Sequence, residues 1–360
     1  MSNLNRQLIL AEYPESEFSE STFEWRESEI PEPKEGEFLV RNLFLSLDPA
    51  MRLWASSVDS YTKRIEIGDV MRGFTVGRVV SSKHKDFKEG DIVQGLDGWQ
   101  DYGISNGINY NENGIQDTWN IKNIVDAGLP ISSALSVLGH TALPAYYGLL
   151  NMAQMKEGQT VLVSGAAGAC GSICGQLAKI KGCRAVGIAG GPEKCKLLVE
   201  KYGYDAAIDY KSEDLFEAIA KACPNGVDIF FDNVGGDTLN AALANINVGA
   251  RILICGAISQ YTQYAQEEVP GPSNYVALLT KRARMEGFII LDQYPEHRAK
   301  MESDMINWLK AGKIEFCDEI VQGLENAPKV INKLFRGENK GKLTIQIADK
   351  TEIERAIKAI

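Results

Sequence analysis

Seven consecutive residues, Gly165, Ala166, Ala167, Gly168, Ala169, Cys170 and Gly171, have the spacing that lets a backbone close on a phosphate. An apolar run at 160–164 precedes them and a helical run at 172–181 follows, so the glycines fall where a buried strand turns into a helix. There the free backbone N–H groups and the positive end of the helix dipole favour a pyrophosphate, and glycine lets the main chain approach it. The spacing is Gly-x-x-Gly-x-x-Gly rather than the commoner Gly-x-Gly-x-x-Gly, and such a turn alone serves equally for tight helix–strand packing. The next strand, 184–189, discriminates between dinucleotides. An NAD-binding fold ends this strand with an acid that holds the ribose 2′-OH, whereas here Ala189, Gly190, Gly191 and Pro192 lead to Glu193 and Lys194. A missing acid and a lysine just inside the next helix suit a 2′-phosphate, so the expected cofactor is NADPH. In the competing reading Lys194 is a solvated helix-start residue and Glu193 is the ribose ligand.

Metal chemistry finds little support. His84, His140 and His297 are far apart and form no helical pair. Cys170, Cys174 and Cys183 are near neighbours, but the first two lie at the expected helix after the glycine turn, and no metal site is expected. Seven scattered cysteines do not resemble a disulfide framework, which points to reduced thiols. Lys+Arg 38 against Asp+Glu 48 gives a net charge of −10, the wrong sign for binding nucleic acid or anionic lipid by bulk electrostatics. The first 20 residues contain no apolar signal core, and no stretch reaches the roughly 18 apolar residues of a spanning helix. A cytoplasmic protein is expected.

Two domains must position these groups, because 360 residues exceed one ordinary core. Residues 1–131 alternate glycine and proline turns with short β-like runs at 38–40, 75–80 and 91–93, which predicts a partly closed antiparallel barrel. Helical character begins at 133–138 and 142–150. Strands at 160–164, 184–189, 206–208, 229–231, 251–255 and 286–290 then alternate with helices, the signature of an α/β doubly wound parallel sheet. A helix at 299–311, short strands and a helix at 327–334 are expected to rejoin the first domain, giving 1–131 with 305–360 as one domain and 132–304 as the other. Ile353, Ala356, Ile357 and Ile360 line one face of a tail helix that docks on its own subunit or on a partner.

Five ordered blocks, at 45–52 (Leu45 to Arg52), 98–102 (Gly98 to Tyr102), 231–236 (Phe231 to Gly236), 255–259 (Cys255 to Ser259) and 337–342 (Gly337 to Lys342), carry a resemblance over nearly the whole chain. It is similar to the zinc-independent branch of the medium-chain dehydrogenase/reductases, with prostaglandin reductases, alkenal double-bond reductases and curcumin reductase. The resemblance implies a GroES-like partly closed β-barrel domain built from both chain ends, a Rossmann NADPH-binding domain between them, and a homodimer joined through the Rossmann domains. It assigns Gly165, Ala167, Gly168, Ala169 and Gly171 to the phosphate turn, Lys194 and Tyr210 to the 2′-phosphate end, and Gly191 to cofactor binding. Asn233, Cys255, Gly256, Ala257, Ile258, Tyr261, Phe288, Ile289, Ile290 and Asn339 would line the rest of the cofactor track. Each has a plainer reading: Asn233 as a turn former, Tyr210 as an interface aromatic, Cys255 as a small buried side chain.

Zinc-dependent relatives carry a cysteine, a Gly-His-Glu block and a four-cysteine lobe, where this chain reads Leu47, Asp48, Pro49 and Arg72 to Val76. Reduction of a ketone to an alcohol then lacks its polarising Lewis acid. Conjugate reduction suffers less, since hydride enters the β-carbon of an enone or enal and the enolate needs only a hydrogen bond and an α-proton. The resemblance makes Tyr261 the donor to the substrate oxygen and Tyr61 a second candidate; the plainer reading, an aromatic pocket wall that orients substrate, weighs more for Tyr61 than for Tyr261. Ala50 stands where relatives often have Tyr, and Leu53 and Trp54 where Gly-Arg is common, so the identity of the small-molecule enone or enal is open. His140 reads as packing or helix-start chemistry. The rivals are a quinone reductase of the same fold and an NADPH-binding sensor with little turnover.

Overall fold

The structure, a computed structural model, describes residues 4–108, 118–263 and 269–358. Contacts divide the chain into two compact units, Met1–Leu135 with Asp318–Ile360, and Ser136–Cys317. The first unit opens with β1 (Leu4–Leu10) and β2 (Phe23–Glu29), an antiparallel pair. β3 (Phe38–Ser46), β4 (Thr75–Ser82), β5 (Ile92–Gly95), β6 (Tyr102–Ser105) and β7 (Trp119–Asn120) follow.

The second unit is built on β8 (Thr160–Val163), β9 (Arg184–Ala189), β10 (Ala206–Asp209), β11 (Val227–Asp232), β12 (Ile246–Ile254) and β13 (Arg284–Gly287). All are parallel, in the order β10-β9-β8-β11-β12-β13. β8 is buried at every position, as a strand with both faces covered must be. The order reverses between β8 and β11, and a doubly wound sheet binds its ligand at such a reversal, outside the carboxyl ends of the strands. The sheet's last strand ends at Gly287, short of the expected 290; beyond it Phe288 packs against Tyr147 and Phe231, and Ile290–Gln293 winds into a 3₁₀ turn. The long helix Tyr294–Lys310 begins earlier than expected because Pro295 sits in its first turn, where a missing N–H costs nothing.

The chain returns to the first unit with β14 (Asp318–Gln322) and β15 (Lys342–Gln346), completing the sheet β14-β15-β3-β4-β5-β7 with β6 paired to β3. β3 is its buried centre: Phe38, Val40, Leu43 and Leu45 lie inside, and the interior Asn42 amide donates to the Gln100 carbonyl. The expected helix at 327–334 is broken into Ala327–Val330 and Lys333–Arg336. Between them Asn332 turns its side chain onto the Phe18 backbone, donating to its carbonyl and accepting from its N–H. The tail helix Lys350–Lys358 docks on its own unit, with Ala356 buried and Glu352 accepting from Arg41 Nε at 2.8 Å; Ile360 lies outside the described residues. Among the described residues no helix is long and apolar enough to cross a membrane.

Candidate active site

The 165–171 turn stands where expected, at the end of β8 and the start of the helix Ala169–Ile180. Gly165 adopts φ +58°, a left-handed conformation that only glycine takes without strain, and its carbonyl accepts from the Gly168 N–H at 3.0 Å. The Ala166 N–H donates to the Ile188 carbonyl, which pins the turn to β9. Gly171 has no room for a side chain: a Cβ there would lie 2.4 Å from the Gly165 oxygen and 2.6 Å from Ala166 Cα. Helix and turn are therefore in backbone contact, the close approach that a phosphate cradle requires.

Two residues overlooked in the sequence hold the switch point together. Ser164 Oγ donates to Asp232 Oδ1 at 2.7 Å and accepts from the Asn233 N–H, while the Asn233 amide donates to the Ser164 carbonyl. The same carboxylate oxygen accepts from the N–H groups of Val234 and Gly235, and the Asp232 carbonyl accepts from those of Cys255 and Gly256. The ends of β8, β11 and β12 are thus tied into one platform. Burial pushes the Asp232 carboxyl above the usual carboxylate range, and its Oδ2 has no hydrogen-bond partner among the described residues. Tyr204 is a third such residue: fully enclosed, its hydroxyl donates to the Gly171 carbonyl at 2.6 Å and accepts from the Gly175 N–H at 3.1 Å.

The segment 255–261 covers the end of β12. Ile258–Gln260 form a 3₁₀ turn, the Ile258 N–H donates to the Asn233 carbonyl, and Tyr261 folds back so that its phenol oxygen accepts from the Ala257 N–H at 3.1 Å. A Cβ on Gly256 would meet that hydroxyl at 2.9 Å. Burial pushes the Tyr261 phenol up to about 12, so at neutral pH it keeps its proton and can donate but cannot act as a base. The neighbouring Cys174 thiol and burial hold the Cys170 thiol well above the ordinary range against the opposing effect of Cys255, and Cys170 together with burial does the same for Cys255. All seven cysteines are unpaired, and among the described residues no group of three or more His, Cys, Asp or Glu side chains is placed to hold a metal ion.

At the far edge, Gly191 caps the helix Pro192–Glu200 with φ +92°, and its N–H donates to Asp209 Oδ1 at 2.7 Å. Lys194 lies in that helix's first turns, and Tyr210 follows β10 with 47% of its surface exposed. The second unit thus gathers the glycine turn, Gly191, Lys194, Tyr210, Asn233, residues 255–261 and residues 288–290 along or beyond the carboxyl edge of one sheet. Tyr61 and Asn339 belong to the first unit. Tyr61 is 40% exposed, with its hydroxyl accepting from the Trp54 indole N–H at 2.8 Å. Asn339 is buried, and its amide donates to the Gly341 carbonyl. Lys342, also buried, donates from Nζ to Asp48 Oδ1 and the Leu47 carbonyl, tying the 337–342 block to the 45–52 block.

Two family models match the chain: an N-terminal domain of oxidoreductase over residues 6–112, and a zinc-binding dehydrogenase domain over 169–311. The NADPH-dependent curcumin reductase of Escherichia coli is 42% identical over 96% of this chain and 97% of its own length. Prostaglandin reductase 1 of Rattus norvegicus is 42% identical over 91% and 94%, and the NADP(+)-dependent 2-alkenal reductase of Nicotiana tabacum is 38% identical over 96% and 98%. Among solved structures, CurA from Vibrio vulnificus in complex with NADPH superposes with a TM-score of 0.86 at 42% identity, covering 96% of this chain and 99% of that one.

Proposed function

The chain belongs to the medium-chain dehydrogenase/reductase family, and we propose that it reduces the C=C bond of α,β-unsaturated ketones or aldehydes with NADPH. The observation that carries this reading is the full-length similarity, near 40%, to relatives named as NADPH-dependent curcumin reductase, prostaglandin reductase and 2-alkenal reductase. The residues present fit the cofactor. Gly165 holds the left-handed φ of +58° that shapes the turn, Gly171 leaves no room for a Cβ against it, and the strand after it ends in Ala189 followed by Gly190 rather than in an acid. In this reading the 165–171 turn holds the pyrophosphate, Lys194 and Tyr210 the 2′-phosphate, and Asn233, residues 255–261 and residues 288–290 the ring end. When bound, NADPH supplies the hydride that enters the electron-poor β-carbon.

The chain's own contribution is to receive charge. Tyr261, kept protonated by burial, would donate to the carbonyl oxygen on which enolate charge develops, with its phenol oriented by the Ala257 N–H. Tyr61 is the second candidate donor, its ring held by the Trp54 indole. No residue in this scheme acts as a Lewis acid, in keeping with a sequence that lacks the zinc-ligand blocks. We also infer a homodimer through the Rossmann sheet. β13 is an edge strand, and the helix Val276–Lys281 that precedes it in the chain presents Val276 and Leu279, with its N-cap Tyr275, to solvent, Leu279 being 78% exposed. Seven unpaired cysteines support a reducing, cytoplasmic setting.

The test is consumption of NADPH, with NADH as control, against alkenals, conjugated ketones and quinones, with mass analysis of product. A saturated carbonyl compound formed preferentially with NADPH is expected. An allylic alcohol, a hydroquinone as the sole product, or no turnover despite cofactor binding would refute the chemistry.

A further inference from the structure

The place where an NAD-binding fold carries its ribose-binding acid is occupied here by other side chains. β9 ends at Ala189, and a Cβ built on the following Gly190 would lie 2.8 Å from Tyr210 Cε1, 2.9 Å from its hydroxyl and 3.0 Å from Lys211 Cε. The tyrosine ring and the lysine stem thus close over the strand end from β10, the neighbouring strand, and any residue larger than glycine would have to displace them. The acid that does stand at this edge is spent on the backbone. Asp209 Oδ1 accepts from the N–H groups of Gly191 at 2.7 Å and Lys211 at 3.1 Å, and Oδ2 accepts from Ser212 Oγ at 3.0 Å. The Gly191 N–H in particular holds this carboxyl below its usual range, so it is a fixed anion locked into a turn. The Lys211 ammonium itself is exposed and forms no ion pair among the described residues.

We propose that Lys211 is a second cation for the adenosine 2′-phosphate, beside Lys194, and that Asp209 is the positioning residue that sets the Lys211 and Gly191 backbones on either side of Gly190. This rests on the NADPH reading above and adds a specificity determinant to it. A dianionic phosphate flanked by two ammonium groups gains charge-assisted hydrogen bonds that a 2′-hydroxyl cannot return. The locked carboxylate, already accepting three hydrogen bonds, has little acceptor capacity left for that hydroxyl.

The experiment is calorimetric titration of the full chain with 2′,5′-ADP and with 5′-AMP, which isolates the phosphate from catalysis. Wild type should prefer 2′,5′-ADP, Lys211→Ala should weaken that ligand by about tenfold while 5′-AMP binding stays within about twofold, and Lys211→Arg should restore most of the loss. Unchanged binding of 2′,5′-ADP by Lys211→Ala overturns the assignment, as does an equal loss for both nucleotides, which marks a structural role. Equal binding of the two nucleotides by wild type overturns the NADPH reading itself, and Lys211 with it.

Discussion

Replacing Gly171 by alanine is the sharpest test of the phosphate turn, because the atoms it would strike are all main chain. The new Cβ would lie 2.4 Å from the Gly165 oxygen, 2.6 Å from Ala166 Cα and 3.0 Å from the Ala166 carbonyl carbon. Ordinary contact needs about 3.5 Å, so turn and helix must part by about 1 Å. The turn cannot simply swing away, being pinned by the Ala166 bond to β9 and by the Gly168–Gly165 bond within it. Overpacking of this kind costs the fold about 1–3 kcal/mol. The backbone donors proposed for the pyrophosphate move with the turn, and a misplacement of about 1 Å costs on the order of 10²-fold where geometry matters. The assay is NADPH binding by fluorescence titration, paired with thermal melting of the cofactor-free protein. A Kd raised by about a hundredfold, with cooperative melting retained, is expected. Gly271→Ala, whose Cβ would meet nothing within 4 Å, serves as control and should bind as wild type. If Gly171→Ala binds NADPH within a few-fold of wild type, the 165–171 turn is not the phosphate site.

Tyr261→Phe should lower kcat by roughly 10²–10³ with little change in KM; a rise in KM alone would make the tyrosine a pocket wall. Asp101 should contribute to the acid stability of the first unit: burial opposes its charge, but hydrogen bonds and charge from Arg6 and Arg41 outweigh it and hold its carboxyl below the usual carboxylate range. Its stabilising contribution is therefore full above the unfolded carboxyl pKa of about 3.9 and is lost as pH falls through the lower folded value. Asp101→Asn should reduce stability at neutral pH and flatten the dependence below about pH 4, and urea unfolding across pH 2.5–7 checks it; an unchanged acid slope would assign that slope to other carboxylates. Leu279→Glu should convert a dimer to a monomer in sedimentation velocity, and a monomeric wild type would end the homodimer reading.

What was legible in the sequence was whatever follows from one element at a time. β8 and β9 read as strands because their runs are largely apolar, and the strand–turn–helix context of the glycines is legible because the three are contiguous, which makes the turn a candidate phosphate site. The 288–290 segment misled for the same reason: it is apolar enough for a strand, but its aromatic residue is drawn to Tyr147 and Phe231 instead of continuing the ladder. The missed residues act across elements. Ser164 and Asp232 are 68 residues apart, Tyr204 reaches Gly171 over 33 and Gly175 over 29, and Asp209 reaches Gly191 over 18. Ser164 and Asp232 each terminate an otherwise apolar run, and a polar side chain buried there needs a partner. The sheet order, which sets β8 beside β11 and β9 beside β10, names those partners at once. The chemistry of these positions was therefore already visible as polar groups at the ends of apolar strands; only the pairing of strands was hidden, because adjacency in a doubly wound sheet departs from adjacency in the chain at the very point where the cofactor would bind.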